Sequence, residues 1–421
     1  MLPYVSRREL SEGVTLKEDV FDPHGRLLIG GGTVLNSKHL RALGLWGISA
    51  VHVELERDDD QLPGTFALPP EILEEAENQA KIFFVHNMSQ KEHPVIKQLF
   101  ASCVSKIAKN IESDGKNCYD KENIEEGLQM RPDLVESLKA DWTVEKLINE
   151  TKTIASLPSI YQELVQVVYH PRSSAADVGK VICSDPGLTS RLLRIVNSAL
   201  YGFSRRIDTV GRAIAIIGTN ELCDLALATS VIQGFKDVPC SDEDVENFWH
   251  HSLWCAVVAR LLATHRRDPN TERFFVAGLL HDIGKLIMLV HMPETISAIC
   301  NQVTAKEKLF FEVERELLGF DHGEIGGALL NTWNLPENQS NAVRDHHAPV
   351  WEAKYGLETS VVHVADIITT ASCVTIHKNL PIPALNIGIW DHLEIDANVL
   401  PSIIEGAQMQ VESISKLLGL R

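Results

Sequence analysis

From Asp141 to Leu418 apolar residues return at helical spacing almost without interruption. A run of that kind restricts the chain to packed helices, because each apolar stripe needs another element to bury it. Ser, Asp and Pro mark the helix starts. Asp185-Pro186 is one such start, since aspartate accepts bonds from free first-turn N–H groups and proline fits the first helical position. Val399 to Leu418 places Leu400, Ile403, Ile404, Ala407, Val411, Ile414 and Leu418 on one face. Its polar face carries little positive charge, which predicts a packing helix rather than a membrane anchor. The same periodicity covers Pro70 to Ile111, through Ile72, Ala76, Ala80 and Phe83, then Val95, Leu99, Val104 and Ala108.

The N-terminal stretch reads differently. Val14 to Val20, Arg26 to Ile29 and Ala50 to Glu54 are short alternating segments separated by Asp22-Pro-His-Gly25 and Gly30-Gly31-Gly32. Ser37 is expected to cap a helix over Lys38 to Leu43. Arg57 to Asp60, followed by Gln-Leu-Pro-Gly-Thr, has the composition of a linker, and Glu112 to Glu126 that of a polar connector. The expectation is a mainly α chain: a small β-rich module at 1–60, a helical connector at 61–140, a helical bundle at 141–395 and an amphipathic helix at 396–421.

At 421 residues two or three domains are expected. The formal charge of -18 argues against nucleic acid as a partner, because phosphate-backbone binding needs clustered Lys and Arg. Eight cysteines without a C-x-x-C pair predict reduced thiols. Neither a signal peptide nor a membrane span is expected, which points to a cytoplasmic protein.

Chemistry concentrates in the second half of the chain, at His251, His281-Asp282, Lys285, His322, His346-His347 and Asp366. His251 leads an apolar segment with Cys255 and Val258 further along its face, and His281-Asp282 follows the apolar run Phe274 to Leu280. Taken singly, each histidine reads as a core packing group; the series is what calls for an explanation.

Two ordered sets of residues supply one. Asp185-Pro-Gly-Leu188, Arg191-Leu-Leu-Arg194, Val196-Asn-Ser198, Tyr201-Gly202 and Ile217-Gly218 follow Leu157-Pro158. Gly278-Leu-Leu-His-Asp-Ile-Gly-Lys285, Phe320-Asp-His322, Trp333-Asn-Leu-Pro336 and His346-His347 come later. Together, over about 142–370, they closely resemble the HDOD family, the HD-related output domains of bacterial signalling proteins. Leu16 to Val20, Gly25 to Leu28 and Gly47-Ile48 resemble the small module that precedes HD-GYP domains.

That resemblance implies an HD-type helical bundle with one or two divalent transition-metal ions, Fe, Mn, Co or Zn. His251, His281, Asp282 and Asp366 would hold one ion and His322, His346 and His347 the other, with Asp282 bridging. Lys285 would offset charge on a phosphate oxygen. Two departures bear on activity. The segment after the paired histidines is Ala348-Pro-Val-Trp-Glu352, without the Gly-Tyr-Pro of HD-GYP enzymes, and Asn247 stands where trinuclear forms carry glutamate. The favoured reading is therefore a non-catalytic regulator that acts through signalling protein partners or ligand sensing, with self-association as a further expectation. The alternative is a metal-dependent phosphohydrolase acting on a nucleotide or cyclic dinucleotide, with Lys285 and Asp282 catalytic. Trp351 and the connection 306–319 are the segments expected to cover the pocket.

Overall fold

A 24-residue helix, Asp242–His265, runs through the main body. Ser241 opens it by accepting a bond from Asp244 N at 3.1 Å. Over Leu253 to Ala259 every side chain is buried, so this helix is apolar on all sides rather than along one stripe. It is enclosed by the helices Glu272–Leu280, Gly356–Ser372 and Leu400–Leu418. Gly278 makes the first contact close: a Cβ there would lie 2.8 Å from the Cys255 carbonyl and 2.9 Å from Ala256 Cα. The computed structural model describes residues 4–6, 10, 12–21, 27–45, 50–54, 69–114, 142–154, 159–169, 173–203, 205–235, 238–306, 308–373 and 380–418.

The helices Pro70–Phe83 and Pro94–Asp114 belong to the same apolar core as the later ones. Asn87 ties them to the chain near residue 382, donating to Pro383 O at 2.9 Å and accepting from Leu385 N at 2.9 Å. The terminal helix Leu400–Leu418 joins this core through Leu400, Ile403, Ala407, Val411, Ile414 and Leu418. Asp185 accepts from Leu188 N at 3.0 Å with Pro186 at the first helical position. The stretch Glu272–His291 is long and apolar enough by composition to cross a membrane, but 78% of its apolar 18-residue window is buried inside the bundle.

The N-terminal strands are short. Tyr4–Ser6, Ala50–Glu54 and Thr15–Leu16 pair in that order, and Val20–Phe21 pairs with Leu27–Ile29. Among the described residues only the strand Ala50–Glu54 exceeds three residues, so the expectation of a β-rich module reduces there to fragments around a small apolar cluster that includes Leu16, Leu35, Leu43 and Val53. Closely spaced glycines and an intervening helix, Ser37–Leu45, leave little chain for longer strands. That helix is capped by Asn36 and not by Ser37: Asn36 Oδ1 accepts from Lys38 N at 3.0 Å and His39 N at 3.1 Å. The linker at 57–60, the connector beyond Asp114, Asp22-Pro-His-Gly25, Gly47-Ile48 and Leu157-Pro158 lie outside the described residues.

Asn197 holds the chain between the helices Pro186–Val196 and Val210–Ile217. Its Nδ2 donates to Ile207 O at 2.7 Å and its Oδ1 accepts from Ile207 N at 2.7 Å. Asn197→Ala removes both bonds and leaves two backbone groups to find water, a loss of about 1–2 kcal/mol. Calorimetry should show a lower Tm for N197A; an unchanged Tm would mean that the loop is held by other contacts.

Candidate metal centre

Each of the eight chemistry-bearing residues is placed by a helix or a helix end. His251 lies within Asp242–His265 and Asp366 within Gly356–Ser372. The helix Glu272–Leu280 ends at His281, and Asp282 immediately precedes Ile283–His291, whose first turn carries Lys285. His322 begins His322–Thr332, where Asp321 caps by accepting from Glu324 N at 2.9 Å. His346-His347 follows Glu337–Asp345. Gly284 lets the helices at 283 and 322 touch: a Cβ there would collide with the His322 carbonyl group.

These side chains converge. Asp282 stands between two groups of imidazoles, one oxygen toward each. Its Oδ2 lies 3.4 Å from His281 Nε2, 3.6 Å from His251 Nε2 and 2.7 Å from Lys285 Nζ. Its Oδ1 lies 3.1 Å from His322 Nε2 and 3.8 Å from His346 Nε2. Asp366 Oδ1 completes the first group, 3.1 Å from His251 Nε2 and 3.6 Å from His281 Nε2. His347 completes the second, with its Nε2 2.7 Å from His322 Nε2. Within His251/His281/Asp366, within His281/Asp282/His346 and within His322/His346/His347, the candidate ligand atoms lie within 4.8 Å of one another.

Hydrogen bonding on the far side of the rings sets their protonation. His281 Nδ1 is 2.7 Å from Gly278 O, and His346 Nδ1 is 2.7 Å from Val343 O. Carbonyls only accept, so both nitrogens donate. His322 Nδ1 meets the fully buried Glu314 carboxylate at 2.6 Å and donates as well. In the neutral ring the lone pair is then on Nε2, and all three Nε2 atoms point into the same small space. Nε2 of His347 lies 2.7 Å from Nε2 of His322, and Nε2 of His251 lies 3.3 Å from Nε2 of His281, so each pair must share either a proton or a cation. Among the described residues His346 Nε2 is buried with no hydrogen-bond partner, and Asp282 Oδ1 has the His322 ring as its near neighbour, at 3.1 Å. Three rings that donate outward, so that Nε2 of each faces the carboxylates, and a buried imidazole nitrogen without a partner fit a metal site.

The electrostatics agree. Burial works against the Asp282 carboxylate, yet the charges on His281, Lys285 and His322 hold it well below the usual range. Asp366 is likewise held low against burial, by bonds from His251 and His281. Burial pushes His346 down to about 3 and His347 well below the ordinary value, so both are neutral. Without metal, burial opposes the charged form of His322, but the Glu314 carboxylate prevails and raises it to about 9. Cys255, beside His281, is pushed up by burial and stays a thiol, which leaves imidazole and carboxylate as the donors.

The sequence does not single out Glu314, and His363, which reads as a surface or packing residue, is buried and donates from Nδ1 to His346 O at 2.8 Å. An acid three residues before the buried Leu317, on the same helix face, was the available sign for Glu314. Of the segments expected to cover the pocket, Leu309, Phe310 and Phe311 do line it. Trp351 does not line it; its ring stacks on His392 with centroids 5.1 Å apart. A cavity of about 270 Å³ opens over Asp282, Lys285 and Asp366, with Asn247 also in its lining.

Comparison with known proteins places this geometry. Residues 154–349 match the model of the HDOD domain. An uncharacterized protein of Treponema pallidum (strain Nichols) is 26% identical over 196 residues, which are 46% of this chain and only 37% of that protein. An HDOD domain protein of unknown function from Geobacter sulfurreducens superposes with a TM-score of 0.53 at 22% identity, covering 65% of this chain and 97% of that one. A Marinobacter aquaeolei VT8 protein, provisionally named a signal transduction protein, gives 0.53 at 19% identity over 74% and 68%. A Shewanella amazonensis SB2B protein, provisionally named a phosphohydrolase, gives 0.50 at 23% identity over 65% and 97%. These structural likenesses establish the fold: helical and HDOD-type.

The raised His322 value gives a pH test. Stabilisation from its protonation in the metal-free protein is fully present below about 6.5, the ordinary value, and is lost as pH rises through about 9. The Tm of chelator-treated protein should therefore fall across this window, and Glu314→Gln should flatten the fall. A chelated protein with constant Tm from pH 6.5 to 9 would contradict the Glu314–His322 assignment.

Proposed function

We propose, from the HDOD domain at residues 154–349 and the two-sided environment of Asp282, that this protein is a bacterial signal-transduction regulator built around a two-metal centre. His251, His281, Asp366 and Asp282 would hold one ion, and His322, His346, His347 and Asp282 would hold the other. The observation that carries the reading is the single carboxylate with an oxygen facing each imidazole group. Donors limited to imidazole and carboxylate suit Fe, Mn, Co or Zn. The helices that carry the ligands also make the core, so occupancy sets bundle stability and, through the surface, engagement of protein partners. The helices at 70–114 and 400–418 share that core and act with it as one unit.

A phosphohydrolase is the second reading, favoured by the cavity that reaches Lys285 and Asp282. A bound metal pair would supply Lewis-acid polarisation of a phosphate oxygen. Lys285 Nζ, 2.7 Å from Asp282 Oδ2, sits where it offsets negative charge on that phosphate. Asp282 orients the lysine, and the neutral His346 and His347 contribute lone pairs without competing protons. The departures at Ala348-Pro349 and Asn247 weigh against the HD-GYP route to cyclic di-GMP and toward regulation.

Metal analysis of purified wild-type and Asp282→Ala protein tests the centre. The wild type should carry transition metal, and D282A should lose most of it together with several degrees of Tm, because the substitution removes the shared ligand. Equal metal content and Tm in the two proteins would refute the site. Hydrolysis assays on cyclic di-GMP and bis-p-nitrophenyl phosphate then separate the readings: metal without turnover supports regulation, and turnover absent from D282A selects the enzyme.

A further inference from the structure

The cavity over the metal centre is walled mainly by carbon. Ile296, Cys300 and Val303 share one face of the helix Pro293–Lys306, at steps of four and three residues, and all three line it. Burial pushes the Cys300 thiol up to about 11, so it behaves as another apolar group. The following helix contributes Phe310, whose ring centroid lies 5.3 Å from Lys285 Nζ, and Phe311, stacked on His347 at 4.2 Å. Leu380 and Pro381 line a further part of the wall. Ile296, Phe310, Phe311 and Leu380 are only half-buried although they border an interior space. Their uncovered surface is what an apolar ligand group would remove from water.

Charge narrows the class. Among the described lining residues there is one lysine, Lys285, and no arginine, while the exposed Asp244 repels a second anion. A cyclic dinucleotide brings two phosphates and two polar bases, whereas among the described lining residues the cationic side chains gather at the Asp282–Lys285 end and Asn247 is the single side-chain amide. One phosphate at the Asp282–Lys285 end and carbon elsewhere match the lining.

We propose that the ligand of this cavity is a soluble amphipathic phosphate monoester. Its single phosphate lies against Lys285 and the metal ligands, and its short alkyl or aryl body lies against Ile296, Cys300, Val303 and Phe310. The phosphate end rests on the metal-centre reading; the apolar end stands on the wall itself.

Calorimetric titration with methyl, butyl and hexyl phosphate tests both ends, using protein of measured metal content and the same protein after chelation. Affinity should rise about two- to fourfold per added methylene until the cavity is filled, consistent with burial of one CH₂ at each step. Chelation should weaken every member while preserving the dependence on chain length. Ile296→Asn should flatten the series and leave metal content unchanged. Hexyl phosphate should bind more tightly than cyclic di-GMP, and vesicles containing phosphatidic acid should not recruit the protein. A flat series in the wild type, tighter binding of cyclic di-GMP, or binding to vesicles alone would overturn the proposal. Purified protein without metal that still shows the chain-length dependence would remove the metal reading and leave the apolar site in place.

Discussion

A carboxylate enclosed by a helical bundle is costly unless cations or donors surround it on every side. Asp282 meets that condition with Lys285 and two sets of imidazoles, and each of those groups is delivered by a different stretch of helix. The demands of this one side chain propagate outward. Gly284 lets the His322 backbone approach, Gly278 both admits the central helix and accepts the His281 ring proton, and Glu314 anchors the His322 ring. The bundle core and the candidate metal centre are therefore one construction, and a change in the charge at Asp282 is felt by the helices that form the core.

Much of this was legible in the chain. The helical periodicity after Asp141 and the cap at Asp185-Pro186 describe the helices found there, because amphipathic spacing and capping are local properties. The eight chemistry-bearing positions converge because the pattern that singled them out is an ordered set rather than eight separate residues. What escaped depended on tertiary contact. Glu314 looks like one more acid on a helix rich in glutamate until its neighbour His322 is in place. Ser37 competed with Asn36 for the same cap, and geometry chose the amide. The cavity wall was hidden for a similar reason, since Ile296, Cys300 and Val303 have the spacing of ordinary core residues, and only the incomplete burial of Ile296 and Cys300 distinguishes that face.

The same architecture accommodates regulation and hydrolysis, and the difference lies in what the cavity admits. A regulator needs the centre to change bundle stability or surface when a ligand or ion binds. A hydrolase needs in addition a nucleophile held in line with a phosphate. The described residues bring candidate ligands from several core helices, a buried imidazole nitrogen without a hydrogen-bond partner and a cavity in contact with them.

Anomalous diffraction from crystals of the purified protein, recorded at the absorption edge of the metal that it carries, tests the Asp282 account most directly. Two peaks are expected, one beside each Asp282 oxygen, ringed by His251, His281 and Asp366 on one side and by His322, His346 and His347 on the other. Ordered water hydrogen-bonded among those histidines, with no anomalous peak on either side of Asp282, would contradict it.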